Sequence, residues 1–419
     1  MKVVPVTPRA ISGRLIGAFA TTVVLLAAGC NGSDDDTTPS TTVSPTTTTL
    51  VEREHDGVLS IGLFLPATGP GAAIGPPMIE AITADVDEIN DRGGVLGADI
   101  ELTSVDEGAG NIGELLDAGV DAIIGPASSN VALSQLGAAV DPNSGVVVCS
   151  PTATAISLDA YPDNGFFFRT APSDALQMVA IARQAERTGE RTIAVGYLDD
   201  PYGRGLADAL GNEIRARPPV LTASVAFSAD QDDLSEVAAE LLADDPGVVV
   251  VLGDADDGSR LLTALDAAPG ETPPAIIVND TIRQARPTIQ GLSELFRSRL
   301  QGVAPASSAF LNDGPDGYFV AHAVDCLNLV ALATLDAGSD DPLEIRKNMA
   351  AVSTGGRGCS SFDQCASLVE QNLGIDYSGQ SGSVDLSNAT GDPVRGRFEV
   401  FTFDTDGNEV HDAPVSVSQ

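Results

Sequence analysis

The segment from Ile61 to Gly97, IGLFLPATGPGAAIGPPMIEAITADVDEINDRGGVLG, constrains the fold more than any other part of the chain. Ile61 to Leu65 is a short apolar run of strand length, and the glycine-rich loop from Thr68 to Gly75 can bring backbone close to a ligand. Pro76-Pro77 suit a helix start, after which Ile79, Ile82, Val86 and Ile89 mark one helical face. Gly93-Gly94 supplies the stop, because glycine takes left-handed dihedrals at little cost, and Ile100-Glu101-Leu102 opens the next strand. Strand, helix and strand in that order make a βαβ unit.

The alternation continues along the body. Ala122 to Ile124 is followed by GPASSN and a helix, and Val146 to Cys149 by SPTATA. After RTAPSD a helix from Ala175 leads into a strand over Thr192 to Leu198, then DDPYGRG and a helix carrying Leu206, Leu210 and Ile214. VVVVLGD, a helix near Leu261 and AIIVND complete the series. Such alternation builds parallel sheets covered by helices on both faces, an α/β fold. Ligands in such sheets sit beyond the carboxyl ends of the strands, where every polar cluster just named falls.

The amino terminus concerns location. Lys2, Arg9 and Arg14 precede an apolar run, Ile16 to Ala28, that is too short to span a bilayer and reads as an export signal. The run ends LLAAGC, with small Ala28 and Gly29 before Cys30, as in a bacterial lipoprotein signal; Ala27 stands where a larger aliphatic residue is usual. Residues 1–29 are therefore expected to be removed and Cys30 acylated, which holds the protein at the outer face of the cytoplasmic membrane. Residues 31 to 54, NGSDDDTTPSTTVSPTTTTLVERE, offer almost nothing to a core and read as a tether reaching about 25–30 Å, so that 30–56 separates anchor from body.

The remaining chain, roughly 365 residues, exceeds what one compact core usually holds, so two lobes are expected. Fifty-nine acidic residues against 22 basic give a net charge of −37, which disfavours nucleic acid and anionic membrane surfaces as partners. Among the five cysteines, Cys359 and Cys365 flank SSFDQ and are expected to form a local disulfide in an oxidising compartment. Further His or Cys for a metal site is lacking nearby. Cys149 ends an apolar strand and Cys326 lies in an apolar helix; both read most simply as buried thiols, with a bridge between them left open.

PATGPGAAIG, EINDRGGVLG, IIGPASS, SPTATA, FFFRTAPSD and DPYGRGLAD, in this order and spacing, resemble the type I periplasmic binding proteins of the branched-chain amino acid importer family. The resemblance runs from Gly57 to the end, including DYSGQSG and the FEVFTF strand. It implies two Rossmann-like lobes joined by three crossovers that close over a small ligand. The crossovers fall near Arg169-Thr170, near Gly302-Val303, and between Asp385 and Arg397. Lobe 1 is then 57–171 with 303–392, and lobe 2 is 172–302 with 393–419. The chain departs from the pattern after Asp106, where a shortened segment should cost the second helix about a turn. It departs again at Val324, where many relatives carry tyrosine.

A carboxylate wants hydroxyls and backbone N–H groups at helix starts. The resemblance assigns the contacts from lobe 1 to Ser129, Thr152 and Thr154, residues that also suit plain helix capping. An ammonium wants an anion or a ring face from the other lobe. Asp280, ending AIIVND, matches the family's acidic residue that holds the amine, although a turn or cap would use it equally well. Tyr202 in DPYGRG matches a cleft tyrosine, and Ile74 and Phe319 fall at positions that can line an apolar side-chain pocket or simply the core.

Other classes fare worse. Gly69, Gly71 and Gly75 imitate a nucleotide-binding loop, with Asp106 closing the next strand, but Pro70, Pro76 and Pro77 remove N–H donors that a pyrophosphate would use. A hydrolase needs a base, and of His55, His322 and His411 two lie near the tether and the tail; Ser381 in GQSGS misses the nucleophile-elbow pattern because Ser383 replaces its last glycine. A wall-associated adhesive module would not require the cleft residues. The expectation is thus a lipid-anchored, monomeric solute-binding protein, without catalysis, cofactor or metal, that delivers a small ligand to an ABC permease. An amino acid with an apolar side chain is the ligand expected. A sensor subunit serving a membrane signalling partner with the same clamshell is the alternative.

Overall fold

A computed structural model of the protein describes residues 55–411, apart from 70, 216–217, 271, 307–316 and 318, together with 415–418. The signal segment, the tether and Cys30 lie outside the described residues.

The opening βαβ unit forms as β1 (Ser60–Leu65), α1 (Gly75–Asp91) and β2 (Glu101–Asp106). α1 carries proline in its first turn and buries Met78, Ile82, Val86 and Ile89, leaving Ile79 at the edge of the apolar face. Gly93 and Gly94 take φ of +107° and +70°, the left-handed conformations the turn demands. Gly75 serves packing: a Cβ there would lie 1.8 Å from the Pro66 carbonyl oxygen, so helix and loop touch backbone to backbone.

α2 (Ile112–Asp117), β3 (Ala122–Ile124), α3 (Ser129–Ala139), β4 (Val147–Ser150) and β5 (Phe167–Arg169) complete the first layer. α2, at 6 residues, is under two turns long, as the shortened sequence after Asp106 implies. The strands form a parallel five-stranded sheet in the order β2-β1-β3-β4-β5. The apolar, buried runs of β1, β3 and β4 fit a sheet covered on both faces, with the more polar β2 at its edge.

The second layer begins with α4 (Asp174–Arg187) and continues through β6 (Thr192–Leu198), α5 (Pro201–Ile214), β7 (Val220–Phe227), α6 (Ser235–Leu242), β8 (Val248–Leu252), α7 (Ala255–Asp266) and β9 (Ala275–Val278). Two short helices, α8 (Arg286–Gly291) and α9 (Glu294–Arg297), precede β10 (Leu300–Pro305). β7 opens on exposed Val220 and Leu221 and sits at the sheet edge, where half-exposed residues hide its period from sequence inspection.

The chain then returns to the first layer with α10 (Val320–Ala337), α11 (Pro342–Asn348), β11 (Arg357–Cys359), α12 (Phe362–Val369), β12 (Ile375–Gly379) and β13 (Gly382–Ser383). It ends in the second with β14 (Arg395–Phe403), β15 (Glu409–His411) and β16 (Val415–Ser418). The resulting eight-stranded sheet runs β15-β14-β10-β9-β8-β6-β7, with β16 also on β14. β14 pairs antiparallel with β10, Val303 opposite Val400.

α10 is apolar and long enough to cross a membrane, yet it is buried as the core helix of the first layer, against α1, α11, α12 and β4. Its Asp325 organises the DYSGQSG segment. The fully buried carboxylate accepts from the Tyr377 hydroxyl at 2.8 Å, the Gln380 and Ser381 N–H groups at 2.9 and 2.8 Å, and the Ser381 hydroxyl at 2.5 Å. Gly379 leaves room for it, since a Cβ there would stand 1.9 Å from the carboxylate.

Two disulfides are present. Cys359 pairs with Cys365, and Cys149 at the end of β4 pairs with Cys326 of α10 across 177 residues. The two cysteines that read most simply as buried thiols therefore form a bridge: strand end and helix face bring their Cα atoms to 5.6 Å, a juxtaposition sequence spacing does not show. Closing so long a loop should stabilise the fold by about 2–5 kcal/mol. The Cys149→Ala/Cys326→Ala pair is accordingly expected to melt well below the parent in calorimetry, while the exposed local loop of Cys359–Cys365 should matter less.

Candidate functional site

The site forms where the carboxyl ends of the strands from both sheets converge. On the first sheet, the loop after β3 is held by Glu107, a buried carboxylate that accepts the Ala127 N–H at 2.7 Å and the Ser128 N–H at 2.8 Å. The loop after β4 is latched to it. Ser150 donates to the Pro126 carbonyl at 2.6 Å, Thr152 to the Ala127 carbonyl at 2.5 Å, and Ser129 accepts the Ala155 N–H at 3.2 Å. Thr152 has thus given its proton to the backbone and retains only lone pairs, whereas the Ser129 hydroxyl still has a proton to donate.

Arg169, fully buried, fastens this edge to the crossover region. Its Nη1 donates to the carbonyls of Ala153 and Ala155 at 3.3 and 3.2 Å, so it grips the backbone on both sides of Thr154. Nε meets Asp392 at 2.7 Å and Nη2 meets Asp159 at 2.6 Å.

On the second sheet, Asn279 is fully buried and bonds Gly253 through both its amide oxygen and nitrogen, tying the end of β9 to the end of β8. Its Nδ2 also reaches the Tyr202 hydroxyl at 3.4 Å. Asp280 follows as the first residue of a 3₁₀ turn that ends at Gln284. Arg283 of that turn bonds Glu399 on β14 at 2.5 Å and Glu409 on β15, and stacks 4.7 Å over the Phe401 ring, which pins the turn in place. Glu399, Glu409 and His411 could together ligate a metal by spacing, but the Arg283 guanidinium already bonds both carboxylates.

α4 starts one residue earlier than the sequence implies, at Asp174, which ends RTAPSD and was not among the expected site residues. Asp174 follows the N-cap Ser173, donates its N–H to the Thr154 carbonyl at 2.9 Å, and receives a side-chain bond from Thr154. It is 1% exposed, and its Oδ2 has no partner. Asp280, 8% exposed, lies close enough for the two carboxylates to repel each other. Tyr202 packs against apolar residues of both layers and feels both acids. Thr154, Tyr202 and Asp280 are therefore linked through Asp174 and Asn279, while Ser129 bonds the residue after Thr154 and Thr152 bonds the Ala127 carbonyl. Ile74 and Phe319 pack on the core of the first layer and are not among the groups that bond in this polar cluster.

Charge decides what the cluster can do. Burial drives the Asp174 carboxyl well above the usual range, and the Asp280 carboxylate adds to this; the Thr154 bond opposes it. Burial likewise raises Asp280 and the Tyr202 phenol. The nearby cations are already neutralised, Arg169 by Asp159 and Asp392, and Arg283 by Glu399 and Glu409. Among the described residues, neither Asp174 nor Asp280 forms an ion pair. Two buried acids in no ion pair can accommodate a proton or a cationic group. Two cavities lie away from this cluster: one of about 330 Å³ lined by Leu242, Pro246, Pro269 and Phe296 at the amino-terminal ends of β8 and β9, and one of about 810 Å³ between α5 and the start of β7, lined by Ala207, Ile214, Val220 and Leu221.

Fold and site together define a two-lobed α/β protein with a buried polar cluster at converging strand ends. The periplasmic binding protein family model matches residues 58–353. Leu/Ile/Val-binding protein BraC3 of Rhizobium johnstonii is 27% identical over 213 residues, covering 49% of this chain and 58% of that protein, so the chain spans less than two thirds of that relative. Leu/Ile/Val-binding protein homolog 1 of Brucella abortus is 25% identical over 307 residues, 69% of this chain and 81% of that one. The crystal structure of the leucine-binding protein LivK from Thermotoga maritima shares the fold with a TM-score of 0.67 at 18% identity, covering 85% of this chain and 98% of that one. The chain belongs to the type I periplasmic binding proteins of the branched-chain amino acid family, a family of solute-binding proteins.

An acid held above its solution pKa in the folded state binds a proton that the unfolded chain releases, so its burial lowers stability as pH rises. Ligand-free Asp174→Asn is therefore expected to melt above the parent near pH 8, with the advantage shrinking as pH falls and vanishing below the unfolded-chain pKa of about 4, where the parent carboxyl is protonated in both states. Equal melting curves across that range would mean Asp174 is not electrostatically strained.

Proposed function

We propose that the protein captures a small amino acid outside the cytoplasm and hands it to an ABC permease. The observation that carries this reading is the buried Asp174–Asp280 pair, which forms no ion pair among the described residues and so suits an ammonium from the ligand. Asp280, Asp174 and the Tyr202 ring take the amine, and Ser129, Thr154 and the N–H groups of their loops take the carboxylate. Thr152 aligns the first of these loops through its bond to Ala127. Ile74 and Phe319 border the side-chain end of the pocket. Lobe 1 comprises 57–171 with 303–392 and lobe 2 comprises 172–302 with 393–419; closure about the crossovers traps the ligand.

The names of relatives support an apolar side chain, since BraC3 is a Leu/Ile/Val-binding protein and the Thermotoga protein a leucine-binding one. Family membership supports an extracytoplasmic location. The LLAAGC sequence supports a lipid anchor on Cys30 that keeps a monomer beside the permease, with the tether giving it reach.

A thermal-shift screen of the purified protein against amino acids, amides, sugars and nucleosides tests the reading. L-leucine or another small amino acid is expected to raise the melting point, as saturating ligand adds a few kcal/mol. The deaminated acid of the same ligand should give no shift. Asp280→Ala and Asp174→Ala are each expected to weaken amino acid binding by about 100-fold or more, the effect of removing one partner of a desolvated ion pair. An unchanged shift in both variants would refute the assignment.

A further inference from the structure

Gln177 stands one helical turn beyond Asp174 in α4 and is 1% exposed. Its Nε2 donates to Asp280 Oδ1 at 2.8 Å and to the Val303 carbonyl at 2.9 Å. Both partners are acceptors, so the chemistry fixes the orientation of the amide: reversed, it would set Oε1 against a carboxylate and a carbonyl. Val303 lies in β10 beside the second crossover, paired with Val400 of β14. One amide therefore touches the helix that follows the first crossover, the acid of the site, and the strand at the second crossover.

This arrangement has a cost that packing alone would not require. Gln177 Oε1 is buried without a partner, whereas leucine or methionine would fill the same volume without stranding an acceptor. We propose that Gln177 is a positioning residue that aims the ionised Asp280 carboxylate into the cleft and ties it to the β10 strand, so that the acid meeting the ligand moves with the hinge. This rests on the amine-binding role of Asp280 proposed above. A hydrogen bond donated to a carboxylate favours its charged form, and at Asp280 the bond from Gln177 is the largest influence opposing burial, ahead of Arg283.

The test has a ligand-free arm and a ligand arm, both on the whole chain. In the first, the side-chain carboxyl ¹³C signal of Asp280, assigned by its loss in Asp280→Asn, is titrated in the parent, in Gln177→Met and in Gln177→Asn. The methionine variant is expected to raise the Asp280 midpoint by about one pH unit, the size of a lost charge-assisted bond, with the shorter asparagine amide giving an intermediate value. In the second arm, L-leucine binding is measured from about pH 4 to 8; the acid limb of the Gln177→Met profile should move upward in step with that midpoint. A purely structural residue would weaken binding equally at every pH and leave the limb where it was.

An unchanged Asp280 midpoint in a Gln177→Met protein that melts like the parent overturns the proposal. Should that variant fail to fold, the Gln177→Asn titration decides by the same criterion. Failure of the parent to bind L-leucine would count against the functional reading alone, because the ligand-free titration still judges Gln177.

Discussion

Two carboxylates, Asp174 and Asp280, enclosed together and in no ion pair among the described residues, set the terms for the rest of this structure. Leaving such a pair in a low-dielectric cleft is unfavourable unless a proton or a cation joins it. The surrounding parts act to keep the pair in place. Asn279 locks the strand end that carries Asp280, Arg283 anchors the turn that follows it to β14 and β15, and the Thr154 carbonyl holds the start of α4. A structure that holds acids so firmly and yet leaves them unpaired is organised for a partner from outside.

Arg169 gives that organisation its mechanical frame. A buried guanidinium bonded to Asp159, to Asp392 and to the carbonyls of Ala153 and Ala155 connects the end of β5, the approach to β14 and the loop of Thr154. Truncating it would strand two carboxylates and two carbonyls in the interior, so its removal should damage folding before it damages binding. The Cys149–Cys326 bridge adds a covalent tie next to the same place, with Thr170 donating to the His322 carbonyl beside it.

Much of the fold was legible because its signals are local. The proline pair and the Ile82–Val86–Ile89 face announced α1, and the valine runs of β6, β8 and β9 announced a buried parallel sheet. β7 escaped notice because an edge strand with Val220 and Leu221 exposed lacks a clean period. The Cys149–Cys326 pairing is a long-range event that no local spacing encodes.

The candidate site was half legible. Thr154, Tyr202 and Asp280 were candidates because the family resemblance aligns them with ligand contacts in loops at strand ends. Asp174 and Gln177 could not, since an acid and an amide in the first turn of a helix are the commonest residues there and only the fold shows them facing Asp280. Thr152 looked like a ligand hydroxyl, but its proton is committed to Ala127. The most direct measurement is the proton balance of binding, by titration calorimetry of L-leucine in buffers of differing ionisation enthalpy from about pH 4 to 8. Burial raises the proton affinity of both acids, so an ammonium entering between them is expected to expel protons wherever the pair still holds one. Net proton release, lost in Asp174→Asn, is the result expected; binding with no proton exchange at any pH in that range would contradict the account.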